Sequence, residues 1–186
     1  MSRFLVIPAI DLRNGRCVRL RQGRADAETV YSDDPVGMAR RWQAEGAAYL
    51  HLVDLDGAFA GRPAHLPVVR AIAAALSIPV DLGGGLRTDE DLQAALDAKV
   101  DRVIVGTRAC EHAEDLGRLA ARFGDRLAVG IDARDGRVQT RGWVETTALP
   151  AEDLARRVAG AGVRTLIYTD TATDGMMRGV NAPAID

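Results

Sequence analysis

Two seven-residue stretches of the 186-residue chain are near copies. Ile10-Asp11-Leu12-Arg13-Asn14-Gly15-Arg16 and Ile131-Asp132-Ala133-Arg134-Asp135-Gly136-Arg137 share the pattern I-D-x-R-x-G-R, 121 residues apart. Each copy sets a carboxylate at the end of an apolar run. Two carboxylates in equivalent places of a duplicated fold can divide acid and base work, one abstracting a proton while the other donates one. Asp at such a place also suits the turn that follows, Asn14-Gly15 or Asp135-Gly136, because its side chain bonds nearby backbone. The pair alone leaves both uses open. A second signal is Gly83-Gly84-Gly85-Leu86-Arg87-Thr88, placed after an apolar run and before a helical pattern. Unobstructed backbone N–H groups at the positive end of a helix cradle phosphate, although a glycine triplet equally makes a tight turn. Gly106-Thr107, at the next run end, offers a further set of donors and points the two together toward a phosphate site. Arg141 could touch a phosphate and Trp143 could stack on a planar ligand. Arg19 is a candidate of the same kind. Packing and solvation are the ordinary uses of such residues.

These side chains need elements to hold them. Apolar or β-branched runs at residues 5–10, 49–53, 79–82, 102–105, 127–131 and 165–168 predict six strands. Pro35 opens a helix over 36–45, Pro67 one over 68–76 and Pro150 one over 151–159. Thr88 caps a helix over 89–98, another covers 113–122, and Gly46, Gly124 and Gly160 mark helix ends. Strict alternation of strand and helix implies parallel strands with crossover connections, in a doubly wound sheet or a (βα) barrel. The repeat decides between them. Glu45-Gly46 before residues 50–54 parallels Ala161-Gly162 before 166–170, and Asp56-Gly57 parallels Asp174-Gly175.

One copy holds four strand–helix units, so two copies give the eight of a closed barrel. The expectation is an α/β (βα)8 TIM barrel with a two-fold internal repeat, of which about six units are present. Residues 1–186 then form a single incomplete barrel, with 1–125 as the first half-barrel and 126–186 as the first part of the second. A complete second copy runs to about residue 240. The chain is therefore expected to stop in the first turn of a sixth helix capped by Asn181, short of strands seven and eight. Barrel enzymes keep their reacting groups at the carboxyl ends of strands. Asp11, Asp54, Asp56, Gly83, Gly84, Gly85, Gly106, Thr107, Asp132, Thr169 and Asp174 occupy those ends. Two-fold symmetry sets Asp11 and Asp132 facing each other across the mouth.

Composition narrows the partners. With Lys+Arg 24 against Asp+Glu 26 and a net charge of −2, no basic footprint points to nucleic acid or an anionic membrane. Cys17 and Cys110 form no C-x-x-C and have no ligand spacing to His51, His65 or His112, so no metal site is expected and a reducing compartment fits. The Met1-Ser2-Arg3 start does not read as a secretory signal, and no stretch approaches the roughly 18 apolar residues of a membrane span. A soluble cytoplasmic protein is expected.

Five ordered motifs carry a resemblance over essentially the whole chain. They are Val6-Ile7-Pro8-Ala9-Ile10-Asp11-Leu12-Arg13-Asn14-Gly15, Leu52-Val53-Asp54-Leu55-Asp56-Gly57-Ala58, Asp81-Leu82-Gly83-Gly84-Gly85-Leu86-Arg87, Val105-Gly106-Thr107 and Thr169-Asp170-Thr171-Ala172-Thr173-Asp174-Gly175. Together they resemble the phosphoribosylformimino-aminoimidazole-carboxamide ribotide isomerase family of histidine biosynthesis. That resemblance implies a (βα)8 barrel performing an Amadori rearrangement, aldose to ketose, with no metal and no organic cofactor. It implies Asp11 as proton acceptor, Asp132 as proton donor, and Thr169 and Asp174 as assisting residues. The implied partner is a small ribotide with a phosphate at each end, bound by a protein that is monomeric when complete.

Gly83, Gly84, Gly85, Arg87, Gly106 and Thr107 would make one phosphate cradle, with Arg19, Arg141 and Trp143 as further substrate contacts. The second cradle, one repeat on, would lie at about positions 204 to 228, so the 186-residue chain is expected to bind and turn over poorly. Three alternatives stay open. The related imidazole glycerol phosphate synthase cyclase typically reads Cys-Leu-Asp-Val at the first strand end and lacks Val53-Asp54-Leu55-Asp56-Gly57-Ala58. A dual isomerase would also act on phosphoribosylanthranilate, a breadth with which Arg141 and Trp143 are compatible. A non-catalytic phosphate-binding half-barrel is the third.

Overall fold

Proline has no N–H to give a strand ladder, and the first strand starts just after one. In a computed structural model that describes residues 4–177, 179 and 181, β1 spans Ala9–Arg13. Residues 5–8, expected as part of it, lie outside the strand, with 5–7 exposed, and Pro8 offers its carbonyl, which accepts the His51 N–H at 3.0 Å. The chain divides into two compact units. One holds residues up to Val18 with Val30–Val103, the other Arg19–Thr29 with residues from Ile104 onward.

In the first unit β1 turns through Asn14 and Gly15 into β2, Arg16–Arg21, which runs antiparallel to it. Both turn residues have positive φ, 50° and 74°, the geometry whose twist matches a two-residue hairpin. From Arg19 the chain belongs to the second unit, and β3, Arg24–Ser32, returns to the first at Val30. Helix α1, Pro35–Ala44, is capped by the Asp34 side chain accepting the Gly37 N–H, with Pro35 at its first position. β4, Leu50–Asp54, runs directly into a short helix α2, Leu55–Ala60, and α3 spans Leu66–Ala75. β5 is Val80–Gly83, α4 is Asp89–Asp97 behind Thr88, and β6 is Arg102–Val105. β1, β4, β5 and β6 are parallel neighbours in that order. Leu50, Leu52 and Asp54 are buried while His51 and Val53, which alternate with them, are less so. Leu50 and Leu52 join Leu82, Val69, Ile72 and Leu92 in the core, each such aliphatic side chain stabilising by about 1.5–3 kcal/mol.

In the second unit α5, Thr107–Glu111, is followed by a single 3-10 turn over Ala113–Asp115 and by α6, Leu116–Phe123. The helix expected over 113–122 is thus divided. Leu116, Leu119 and Phe123 form the buried stripe of α6, three and four residues apart. β7, Leu127–Arg134, turns at Asp135-Gly136 into antiparallel β8, Arg137–Thr140, and this pairs antiparallel with β9, Glu145–Pro150. Helix α7, Ala151–Gly160, leads to β10, Thr165–Asp170, parallel to β7.

The six expected strands are present, each within a few residues of its predicted span, and they run parallel where they pair with one another. The expectation of strict alternation is corrected. β2, β3, β8 and β9 are additional strands inserted after β1 and β7, and the pairs β1–β2, β7–β8 and β8–β9 are antiparallel. Gly160 ends α7 as expected, and the left-handed position after it belongs to Gly162 at φ 86°. The sixth helix expected beyond Asn181 lies outside the described residues, and Asn181 itself donates from Nδ2 to Asp170 Oδ2 at 2.7 Å.

Candidate active site

Asp11 sits in β1 with Val18 and Val53 as its cross-strand neighbours, and Val53 is in turn opposite Gly83. Asp132 sits in β7 between Gln139 on β8 and Thr169 on β10. Both aspartates are partly accessible. Register partners on neighbouring strands point to the same face of the sheet. Thr169 is therefore placed beside Asp132. The two settings differ in chemistry. The register partners of Asp11 are two valines, and those of Asp132 are a glutamine and a threonine.

The loop after β10 is tied down by residues that sequence reasoning passed over. Thr171 is fully buried, and its Oγ1 donates toward Gln139 Oε1 at 2.5 Å, with the Ala133 carbonyl 3.2 Å away. Gln22 donates its Nε2–H to the Ala172 carbonyl at 2.8 Å and its backbone N–H to the Asp174 carbonyl at 3.3 Å. Asp174 is thereby presented to Arg19, whose Nη2 lies 2.5 Å from its Oδ1. Arg19, expected by default to be solvated, is instead an ion-pair partner of a predicted site residue 155 positions away.

Burial raises the Asp174 carboxyl above the ordinary carboxylate range, and the Arg19 charge and hydrogen bond only partly offset that. A carboxyl whose folded pKa exceeds its unfolded value holds its proton longer in the native state. Stability therefore falls as pH rises through the window between the two values. Replacing Arg19 by Gln removes the opposing charge. We expect the Asp174 titration midpoint, followed by carboxyl carbon NMR, to lie above 3.8 in the parent and higher still in Arg19→Gln. A lower midpoint in the variant would contradict this balance.

The glycine run begins at Gly83, the last residue of β5. Gly84 and Gly85 have φ of 101° and 76°, and a Cβ on Gly84 would lie 2.2 Å from the Asp54 carbonyl oxygen. The first turn of α4 is satisfied from within: Thr88 Oγ1 accepts the Asp91 N–H, and Asp91 Oδ2 accepts from Thr88 N–H at 2.9 Å and Arg87 N–H at 3.1 Å. Three acidic residues also stand in that turn. An anion at this place would have to be held by the glycine peptides rather than by the helix end. Arg87 reaches the C-terminal end of α2, with Nη2 3.5 Å from the Ala58 carbonyl and its guanidinium packed over Gly61.

Gly106 caps α5, and a Cβ there would meet only the Gly130 carbonyl oxygen, at 3.7 Å. Thr107 Oγ1 accepts the Arg141 N–H at 2.9 Å. The Arg141 guanidinium is bound to Glu111 and Glu145, at 3.1 and 3.2 Å, and the Trp143 ring lies over Gly23. Both side chains have protein partners here.

Nucleophilic thiol chemistry finds no support. Burial, with the Asp34 charge, pushes the Cys17 thiol up to about 11, and burial also raises Cys110. Among the described residues no group of three or more His, Cys, Asp or Glu side chains is placed to hold a metal ion, and no helix is long and apolar enough to cross a membrane.

Comparison with known proteins agrees with this layout. The model of a family described as "Histidine biosynthesis protein" matches residues 5–186. A protein of Nitratidesulfovibrio vulgaris is 52% identical over 183 residues, covering 98% of this chain and 75% of the relative. One of Acinetobacter baylyi is 54% identical over 179 residues, 96% of this chain and 74% of the relative. One of Chloroflexus aggregans is 53% identical over 180 residues, 97% and 75%. All three are named 1-(5-phosphoribosyl)-5-((5-phosphoribosylamino)methylideneamino)imidazole-4-carboxamide isomerase. With a family match over nearly its whole length and relatives more than half identical to it, the chain belongs to the histidine biosynthesis protein family, whose fold is the (βα)8 barrel.

Proposed function

We propose that this chain is an intramolecular aldose–ketose isomerase of histidine biosynthesis, converting the phosphoribosyl formimino-aminoimidazole carboxamide ribotide into its phosphoribulosyl isomer. The observation that carries the reading is that relatives 52–54% identical to it over at least 96% of its length bear the name of that isomerase. The repeated carboxylates of β1 and β7 supply the chemistry. Protonated Asp132 gives its proton to the ribose ring oxygen. The C1–O bond breaks and the nitrogen lone pair forms a C1=N iminium. Asp11 takes the C2 proton, and the C2–H electrons form a C1=C2 enolamine. Protonation at C1 and loss of the C2 hydroxyl proton give the ketose, so the step is redox-neutral. Thr169 hydrogen-bonds the carboxylate that Asp132 becomes, and Asp174 holds a sugar hydroxyl.

One terminal phosphate rests on Gly83, Gly84, Gly85, Gly106 and Thr107, with Arg87 seating the glycine run against α2. Arg19 acts on the substrate through its pair with Asp174, and Arg141 and Trp143 close over the imidazole side. Residues 1–125 and 126–186 belong to successive halves of the duplicated barrel. The protein works in the cytoplasm as a monomer on a small molecule, not on nucleic acid. The test is conversion of the purified natural polypeptide's substrate, followed by chromatography of aldose against ketose, with phosphoribosylanthranilate assayed beside it. Ketose formation from the ribotide is expected. Its absence overturns the reading, and turnover of both compounds makes the enzyme a dual isomerase.

A further inference from the structure

Asp56 stands one residue inside α2 and belongs to none of the roles above, yet its carboxylate is heavily engaged. A single oxygen, Oδ2, accepts the Asn14 backbone N–H at 2.6 Å and faces His65 Nε2 at 2.6 Å. The three residues come from three places in the first unit: the β1–β2 turn, α2, and the residue preceding α3. The His65 and Asp56 side chains are only 16% and 28% exposed, so the contact is partly withdrawn from water, where charge-assisted hydrogen bonds are stronger.

The frame on which Asp56 rests is fixed at both ends. Asp54, 1% exposed, accepts the N–H groups of Gly57, Ala64 and His65 at 2.8, 2.6 and 2.9 Å, and so ties the exit of β4 to the residues before α3. At the other end Arg87 lies over Gly61. What this frame grips is the turn directly after Asp11. Asn14 is three residues beyond it, and β1 pairs with β2 from Asp11 through Arg13. Strand-end turns are ordinarily among the least stable parts of a fold. A catalytic group displaced by about 1 Å can lose on the order of 100-fold in rate.

We infer that Asp56, oriented by His65, is a positioning residue for Asp11, pinning the β1–β2 turn to the 54–65 segment so that the Asp11 carboxylate stays where a substrate proton can reach it. The inference rests on the reading of Asp11 as proton acceptor. Asp56 holds the turn and not the glycine run, which packs on Asp54, Gly57 and Arg62. Its loss therefore acts on kcat, not on substrate binding.

In the natural full-length polypeptide, Asp56→Asn is expected to lower kcat about tenfold while KM stays within about twofold, since one charge-assisted contact is lost. His65→Gln, whose amide nitrogen can donate to Asp56 as the ring does, keeps kcat within about threefold, whereas His65→Leu loses as much as Asp56→Asn. Hydrogen exchange gives a readout independent of turnover: the Asn14 amide, protected in the parent, exchanges at least about tenfold faster in Asp56→Asn while the amides of β4 and β5 do not change. Unchanged kcat in Asp56→Asn, or an Asn14 amide that exchanges at the parent rate, overturns the proposal. Asp11→Asn, measured in parallel, separates the two levels. If it is inactive while Asp56→Asn is normal, only the positioning role falls. If Asp11→Asn is itself as active as the parent, the proton-acceptor reading falls and takes the positioning role with it.

Discussion

Asp132→Asn and Asp11→Asn should each lower kcat by about 10³-fold, within the range that a positioned acid or base supplies, while moving KM by less than about threefold. Asparagine keeps the shape of the carboxyl and much of its hydrogen bonding, and it cannot carry the proton. Binding survives because neither carboxylate is asked to hold a phosphate. The two losses should not multiply. Ring opening and C2 deprotonation are successive steps of one rearrangement, so the double variant is expected close to the worse single one, as for groups that act as a unit. The settings of the two side chains suit the assignment. The donor must become a carboxylate during the reaction, and the Thr169 hydroxyl, the register partner of Asp132 on the neighbouring strand, is a group that can receive it. Steady-state kinetics of the three variants on the ribotide checks this. A single variant with parent kcat removes its aspartate from the mechanism.

The parallel strands were legible because each is a short apolar run whose neighbours are helices with strong start signals, such as Asp34 before Pro35 and Thr88 before Asp89. The hairpins were not. Asn14-Gly15 and Asp135-Gly136 are strong hairpin dipeptides, and both adopt positive φ at both positions. The two turns are legible, but with the strands ended at residues 10 and 131 the arginine-rich alternation of β2, Arg16–Arg21, whose Cys17, Val18 and Leu20 are buried, does not register as a strand. Helices α2 and α5, six and five residues long, are too short for any 3.6-residue period to register. At the site, the residue types at strand ends could be read directly. Their partners could not, because Arg19 with Asp174 and Asp56 with Asn14 are joined only by the fold. The sequence shows the open N–H groups of the glycine run, but what closes around Gly84 is Asp54, which in the sequence is only one more carboxylate.

Gly84→Ala and Gly106→Ala, chemically the same change at two neighbouring strand ends, should fail in different ways. At Gly84 the backbone is left-handed, φ 101°, which costs an L-residue about 1–2 kcal/mol. The new methyl also meets backbone atoms of Asp54 at 2.2, 2.8 and 2.9 Å. Those atoms cannot yield cheaply, since the Asp54 carboxylate holds three N–H groups of the segment that follows. With overpacking at about 1–3 kcal/mol, a total loss of about 3 kcal/mol and a Tm lower by about 10 °C are expected for a chain of this size. At Gly106 φ is −112° and the nearest atom to an added Cβ is 3.7 Å away, so the fold has room and Tm should move by less than about 2 °C. The glycine there serves the fold little, and its proposed use is to let a phosphate approach the Gly106-Thr107 peptide. A methyl group denies that approach, and KM should rise about tenfold with kcat nearly kept. Thermal melts and saturation kinetics on the two variants separate a glycine kept for packing from one kept for a ligand. A Gly106→Ala protein with parent KM would place the phosphate elsewhere, and a Gly84→Ala protein as stable as the parent would mean that the β4–α2 junction gives way, with Asp54 less firmly held than its three hydrogen bonds imply.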